Sequence, residues 1–167
     1  SKNSDLPLPP ASMSKLMTLY MTFEFIEAGR LGLDEKLPVS KNAANYTGST
    51  MFLNPTDRVA VEDLLRGIIV LSGNDACAVI AEALSPDGTE AGFAKIMTER
   101  GKQIGLKNST FKNSNGWPAD GHQMSVRDLG ILAGRLISDF PEYYPMFAEQ
   151  TYGFDGRAPA NNRNRNP

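Results

Sequence analysis

The stretch that most limits what this chain can fold into is Pro9-Pro10-Ala11-Ser12-Met13-Ser14-Lys15-Leu16-Met17, together with the apolar run that continues it to Ile26. Within that run Leu16, Met17, Leu19, Tyr20, Met21, Phe23, Phe25 and Ile26 place apolar side chains on nearly every face of a helix. A helix with no polar face has to be enclosed by other elements. The two prolines predict an extended entry, the helix is expected over residues 11–28, and Gly29 ends it in a left-handed cap conformation. Ser12 and Lys15 stand three residues apart at the start, so they share a face and their polar ends can meet. A lysine enclosed there is desolvated, which lowers its proton affinity. The helix N-terminus adds positive potential and free N–H groups that can face a developing oxyanion. A serine nucleophile with a lysine base follows as coherent chemistry. Serine and lysine are common residues, so this pair alone fits an ordinary helix start equally well.

The rest of the chain reads as helices joined by turns. Residues 30–36 form a polar connector, Leu37-Pro38-Val39 is short and extended, and Ser40 caps a brief helix through Ala44. Residues 45–57 are rich in turn formers but carry Met51, Phe52 and Leu53, which predicts a loop packed back on the body. Val59 and Val61 are expected to pair with the Val39 region. A helix from Glu62 to Leu71 is interrupted at Ser72-Gly73 and resumes from Asn74 to Leu84. Thr89 caps a helix to about Ile104, ended by Gly105, and residues 106–123 are irregular. Ser125 and Asp128 make a capping-box-like start for a helix through Ser138. One more short helix is expected over 141–149 and a strand over 151–154. The predicted fold class is predominantly α.

Composition removes several function classes. At 41% hydrophobic and 22% charged residues over 167 positions, the chain suits one globular domain. A net charge of -2 and a pI near 5.4 offer no general attraction to nucleic acid. Arg157, Arg163 and Arg165 are too few for a nucleic-acid patch and read as a solvated connector. One cysteine, Cys77, excludes an internal disulfide, and with one histidine, His122, it cannot form an ordinary zinc site. No cofactor or metal is expected, and the residues given carry neither a signal nor a membrane anchor.

Ser72-Gly73-Asn74 is the second polar constellation. A glycine at a helix break lets the backbone turn sharply, and a hydroxyl beside an amide suits proton relay and anchoring of a substrate amide. The competing reading is a helix cap, with Ser72 or Asn74 satisfying free N–H groups. Order and surroundings bear on that choice: Ser-x-x-Lys at the start of a buried helix, followed sixty residues later by Ser-x-Asn between two helices, is the motif order of penicillin-recognising serine enzymes. Pro-Pro-Ala-Ser-Met-Ser-Lys-Leu-Met-Thr, Gly-Ser-Thr-Met-Phe-Leu, Val-Glu-Asp-Leu-Leu-Arg-Gly-Ile-Ile-Val-Leu-Ser-Gly-Asn-Asp-Ala-Cys and Met-Ser-Val-Arg-Asp-Leu closely resemble the D-alanyl-D-alanine carboxypeptidases among the low-molecular-mass penicillin-binding proteins. The likeness covers nearly the whole chain.

That resemblance implies Ser12 as the acylated nucleophile, Lys15 as its base, Ser72 in proton transfer to the leaving group and Asn74 as a hold on the substrate amide. It further implies a peptidoglycan pentapeptide ending in D-Ala-D-Ala as substrate, β-lactams as covalent inhibitors, and an exported, periplasmic or extracytoplasmic enzyme, with any membrane association through a segment outside these residues. The fold it implies is two-part, α with α/β, and residues 1–167 correspond to its helical half. The amino-terminal strands and the third motif, a Lys-Thr-Gly strand, are not among these residues. A class A β-lactamase needs a glutamate acting through water, and no Glu-x-x-Leu-Asn segment follows Ser-Gly-Asn; Glu142 leads into Tyr143-Tyr144-Pro145-Met146. A non-catalytic cell-wall-binding relative is the alternative from another class. Cys77 is expected in the core, His122 in a loop hydrogen bond, Trp117 in packing with the cleft wall as its rival role, and the loop over 46–54 beside the substrate.

Overall fold

The computed structural model describes residues 3–157. At its centre lies α1 (Lys15–Glu27), against which pack α4 (Asn74–Leu84), α5 (Glu90–Gln103) and α6 (Val126–Asp139). The enclosure expected from its apolar faces is observed: Met17, Leu19, Tyr20, Met21 and Phe23 are all at most 4% exposed. Phe23 stacks on Tyr143 with ring centroids 4.4 Å apart, and Phe140 meets the edge of Tyr20 at 5.1 Å. Truncating a ring so placed costs about 3–5 kcal/mol. The polar residues on α1 are satisfied internally, since Thr18 Oγ1 donates to Ser114 O at 2.6 Å and Thr22 Oγ1 to Thr18 O at 2.7 Å.

The entry to α1 departs from expectation. Residues Ala11–Ser14 form a 3-10 turn, and α-geometry begins only at Lys15. Pro10 is helical, with ψ -10, rather than extended, and Ala11 takes the left-handed φ of 48. The cause is contact with a distant loop: the Ala11 carbonyl sits so close to Gly116 that a Cβ on Gly116 would lie 1.8 Å from it. The far end follows the sequence more closely. Gly29 is left-handed at φ 71 and Arg30 N–H closes on Phe25 O at 2.9 Å.

Strands β1 (Lys36–Pro38) and β2 (Arg58–Ala60) pair antiparallel with Leu37 opposite Val59, both buried, in the one sheet of the described residues. Val39 only adds an N–H bond to Asp57 O, and Val61 already opens α3 (Val61–Leu71), so the pairing sits a residue or two from its expected place. Between the strands lies α2 (Lys41–Ala44), capped by Ser40. Thr89 caps α5 and Ser125 caps α6 as their sequences predict. Asp128 does not complete a capping box. Its carboxylate instead takes Asn108 N–H at 2.7 Å and the Ser109 hydroxyl at 2.6 Å, tying the irregular segment after α5 to the start of α6. Pro141–Ala148 is a 3-10 helix. No continuous strand runs over 151–154: Thr151 and Phe154 each make an isolated bridge, Phe154 with Arg157. Arg157 is not a solvated link, because it is ion-paired with Asp57; Arg163 and Arg165 lie outside the described residues. No helix among the described residues is long and apolar enough to cross a membrane.

Candidate active site

Residues three apart share a face at a helix start, and the turn over Ala11–Ser14 brings Ser12 within reach of Lys15. Ser12 is exposed and its Oγ lies 3.2 Å from Lys15 Nζ. Lys15 belongs to the enclosed helix and is 4% exposed. Its second contact is the Asn115 carbonyl, which accepts from Nζ at 2.7 Å. Burial lowers the proton affinity of this amine below the usual lysine range. Among nearby groups only a Cys77 thiolate would oppose that shift, and burial pushes the Cys77 thiol up to about 12, so the sulfur stays neutral. As a free amine, Lys15 keeps one N–H for Asn115 O and has a lone pair to take the Ser12 proton.

The Asn115 carbonyl is held by a tightly built loop. Asn113 Oδ1 accepts from Gly116 N–H at 2.8 Å and Asn115 N–H at 3.3 Å, and Asn115 Oδ1 accepts from Trp117 N–H at 2.9 Å. Gly116 has φ 86, where a side chain is strained even without its contact with Ala11. His122 secures the loop from behind. Its Nδ1 accepts from Lys112 N–H at 2.9 Å, which leaves Nε2–H to donate to Ser14 Oγ at 2.6 Å. Burial lowers the His122 pKa, so this neutral tautomer persists; the residue makes the expected loop hydrogen bond and does not approach Ser12 as a base. A groove of about 330 Å³ lies between Pro9-Pro10-Ala11, which precede Ser12 in the chain, and the segment from Gly116 to Asp120.

Around the second constellation the structure rearranges the expected roles. Ser72, not Gly73, takes the left-handed backbone, with φ 55 and ψ 41, while Gly73 has an ordinary φ of -65. Gly73 is closely approached instead: a Cβ there would stand 3.2 Å from Gly67 O and 3.3 Å from Asp75 Oδ1. A left-handed serine is a strained conformation that costs about 1–3 kcal/mol. Neither Ser72 nor Asn74 caps α4, so the capping alternative does not hold. Asn74 Nδ2 donates to Thr47 O at 2.9 Å, and Asn74 N–H to Ser49 O at 2.8 Å. Asp75, 1% exposed, accepts Met51 N–H at 2.9 Å, Leu53 N–H at 3.1 Å and Ala76 N–H at 2.9 Å. The loop over 45–57 is thereby laid on the first turn of α4. Desolvation nonetheless raises the Asp75 pKa.

The two constellations converge through their neighbours. Cys77, one turn after Asn74, lies within electrostatic reach of Lys15. A Cβ at Gly48 would stand 3.3 Å from Asn74 Nδ2 and 3.8 Å from the Trp117 ring, so only a glycine separates that amide from the loop holding Lys15. Trp117 is 43% exposed and meets Tyr46 edge-on at 5.9 Å, so it serves both packing and the cleft wall. Asn115, Asp75 and Glu90 are the residues that sequence reasoning passes over. Asn-Gly at 115–116 is a signal for left-handed backbone, but nothing local to Asp75 or Glu90 indicates their distant partners. Among the described residues no group of three or more His, Cys, Asp or Glu side chains is arranged to hold a metal ion.

Residues 1–167 match the D-alanyl-D-alanine carboxypeptidase family. The chain is 40% identical over 137 residues to D-alanyl-D-alanine carboxypeptidase DacF of Bacillus subtilis, an alignment covering 82% of this chain and 35% of that protein. Penicillin binding protein 5 from Haemophilus influenzae superposes with a TM-score of 0.87 at 33% identity, covering 92% of this chain and 45% of that one. Penicillin-binding protein D2 from Listeria monocytogenes, solved in its ampicillin-bound form, superposes with a TM-score of 0.79 at 30% identity, covering 93% of this chain and 63% of that one. The chain thus spans about a third to two thirds of these relatives, and its helices form the helical half of the penicillin-binding-protein fold.

Proposed function

Because the chain belongs to the D-alanyl-D-alanine carboxypeptidase family, we propose that it carries the nucleophile and base of a serine D-Ala-D-Ala carboxypeptidase acting on peptidoglycan stem peptides. Ser12 Oγ attacks the carbonyl of the penultimate D-alanine while Lys15 Nζ takes its proton, and the oxyanion forms near the Ser12 N–H at the helix start. The Ser72 hydroxyl relays a proton to the departing D-alanine amine. The Asn74 amide is fixed by its donation to Thr47 O, which leaves Oδ1 to accept the substrate N–H. Water then hydrolyses the ester on Ser12. β-Lactams enter the same path and stop at the acyl-enzyme, in keeping with the ampicillin-bound Listeria relative.

The observation that carries this reading is the buried Lys15 amine 3.2 Å from an exposed Ser12 hydroxyl, with no carboxylate among the described residues bound to it and a backbone carbonyl as its other partner. The remaining sheet strands, with the Lys-Thr-Gly motif, are assigned to segments flanking these residues, and the site to the periplasmic or extracytoplasmic side of the cell membrane. The test is release of D-alanine from a pentapeptide ending in D-Ala-D-Ala by the full-length gene product. Ser12→Ala abolishes release, and Lys15→Met lowers it by about a thousandfold or more, as loss of an activating base does. Undiminished release by Ser12→Ala overturns the assignment.

A further inference from the structure

Glu90 is the first residue of α5, where a carboxylate ordinarily faces water and complements the helix dipole. Here it turns inward. Its carboxylate accepts the Tyr46 hydroxyl at 2.8 and 3.0 Å and Ser114 N–H at 3.4 Å. The two donors come from the two loops that hold the two motifs. Tyr46 leads into Thr47 and Ser49, whose carbonyls take the side chain and backbone N–H of Asn74. Ser114 directly precedes Asn115, whose carbonyl takes Lys15 Nζ. Burial raises the Tyr46 pKa, so its hydroxyl stays a donor.

We infer that Glu90 is a positioning residue for acylation of Ser12: from one anchor it holds the Asn115 carbonyl against Lys15 and the Tyr46 to Ser49 segment against Asn74. The inference rests on the assignment of Ser12 and Lys15 as nucleophile and base. Without the anchor, Ser114 N–H and the Tyr46 hydroxyl lose their acceptor, the segment around Asn115 opens to water, and Lys15 regains the proton affinity that burial takes away. Loss of the Glu90 charge alone cannot raise the Lys15 pKa, because an anion favours the protonated amine and the neighbour that bears on Lys15 is Cys77. Of the titratable groups, Cys77 on α4 bears on Lys15 and is neutral; Asp75, Glu90 and Tyr46 lie within reach of Cys77, and His122 touches Ser14. A rise in the Lys15 pKa on removing Glu90 therefore reports solvent entry and not lost charge.

The test is the second-order rate of acylation by a fluorescent penicillin as a function of pH, measured on the full-length gene product with the reactive fraction titrated at saturation. Glu90→Ala is expected to slow acylation about 10- to 100-fold at neutral pH, the scale of an ångström-sized misplacement, and to move the acid limb up by about half a pH unit or more. Glu90→Gln keeps an acceptor for both donors and is expected within about threefold of wild type, with a limb that does not rise. Should Glu90→Ala fail to fold, Tyr46→Phe decides the matter: slowing by about threefold or more supports the inference, and wild-type behaviour overturns it. Glu90→Ala slowed only in proportion to its reactive fraction, with an unmoved limb, also overturns it. A wild-type protein that takes no label refutes the Ser12 assignment itself, an outcome separate from either result on Glu90.

Discussion

Substituting Gly116 by alanine tests how Ser12, the proposed nucleophile, is held. The new Cβ would stand 1.8 Å from Ala11 O and 2.4 Å from Ala11 C, backbone atoms that cannot rotate away. Carbon atoms in ordinary contact are about 3.5 Å apart, so the two segments must part by more than about 1 Å. Alanine at the φ of 86 adds a conformational cost of roughly 1–2 kcal/mol. With an overpacking strain of about 1–3 kcal/mol, the expected loss of stability is about 2–5 kcal/mol, read from the urea midpoint. The functional loss is separable, because Ser12 follows Ala11 and its position beside Lys15 depends on the same contact. An ångström-sized displacement there costs about a hundredfold in acylation rate. Gly121→Ala is the control in the same loop: its φ is 80, but the nearest neighbour of its Cβ is the flexible Lys112 Cε at 3.2 Å. It should lose stability through the backbone alone and acylate at nearly the wild-type rate. Equal acylation by Gly116→Ala and Gly121→Ala would refute the account of how Ser12 is placed.

Other predictions follow from the same contacts. Asp75→Ala strands the buried N–H groups of Met51 and Leu53, each worth about 1–3 kcal/mol when left unpaired, so it should lower stability by several kcal/mol and speed hydrogen exchange across residues 45–57. Acylation should rise with pH along a limb whose midpoint lies below the ordinary lysine value of 10.5, since burial favours the neutral amine that the proposed base needs; a midpoint at or above that value would remove Lys15 from the role. Cys77, fully buried with its thiol raised to about 12, should resist thiol reagents at pH 8 and react only as fast as the chain opens, as a label-by-mass time course would show.

Local patterns carried much of the fold. The apolar faces of α1, the Ser40, Thr89 and Ser125 caps and the glycine stops after α1 and α5 could all be read along the chain, because each rests on contacts within a few residues. Ser12 and Lys15 were legible as a pair, and the motif order singled them out as a candidate site. Hidden from local reading were the features imposed by distant contacts. Ala11 is left-handed where Gly116 lies against it, and the entry to α1 is a 3-10 turn in place of the expected α-helix. Ser72 carries the strained backbone while Gly73 is closely approached at an ordinary φ, the reverse of what glycine's freedom suggests. Asp128 looked like half of a capping box, yet its carboxylate is spent on Asn108 and Ser109. Asp75, Glu90 and Asn115 are polar residues whose partners are set only by the tertiary fold, and periodicity says nothing about such bonds.

The measurement that bears most directly on the central claim is peptide mapping by mass spectrometry of the full-length gene product after brief exposure to benzylpenicillin. A single penicilloyl adduct is predicted on the peptide containing Ser12, absent from Ser12→Ala and strongly slowed in Lys15→Met. An adduct on any other residue, or one that persists in Ser12→Ala, would contradict the account.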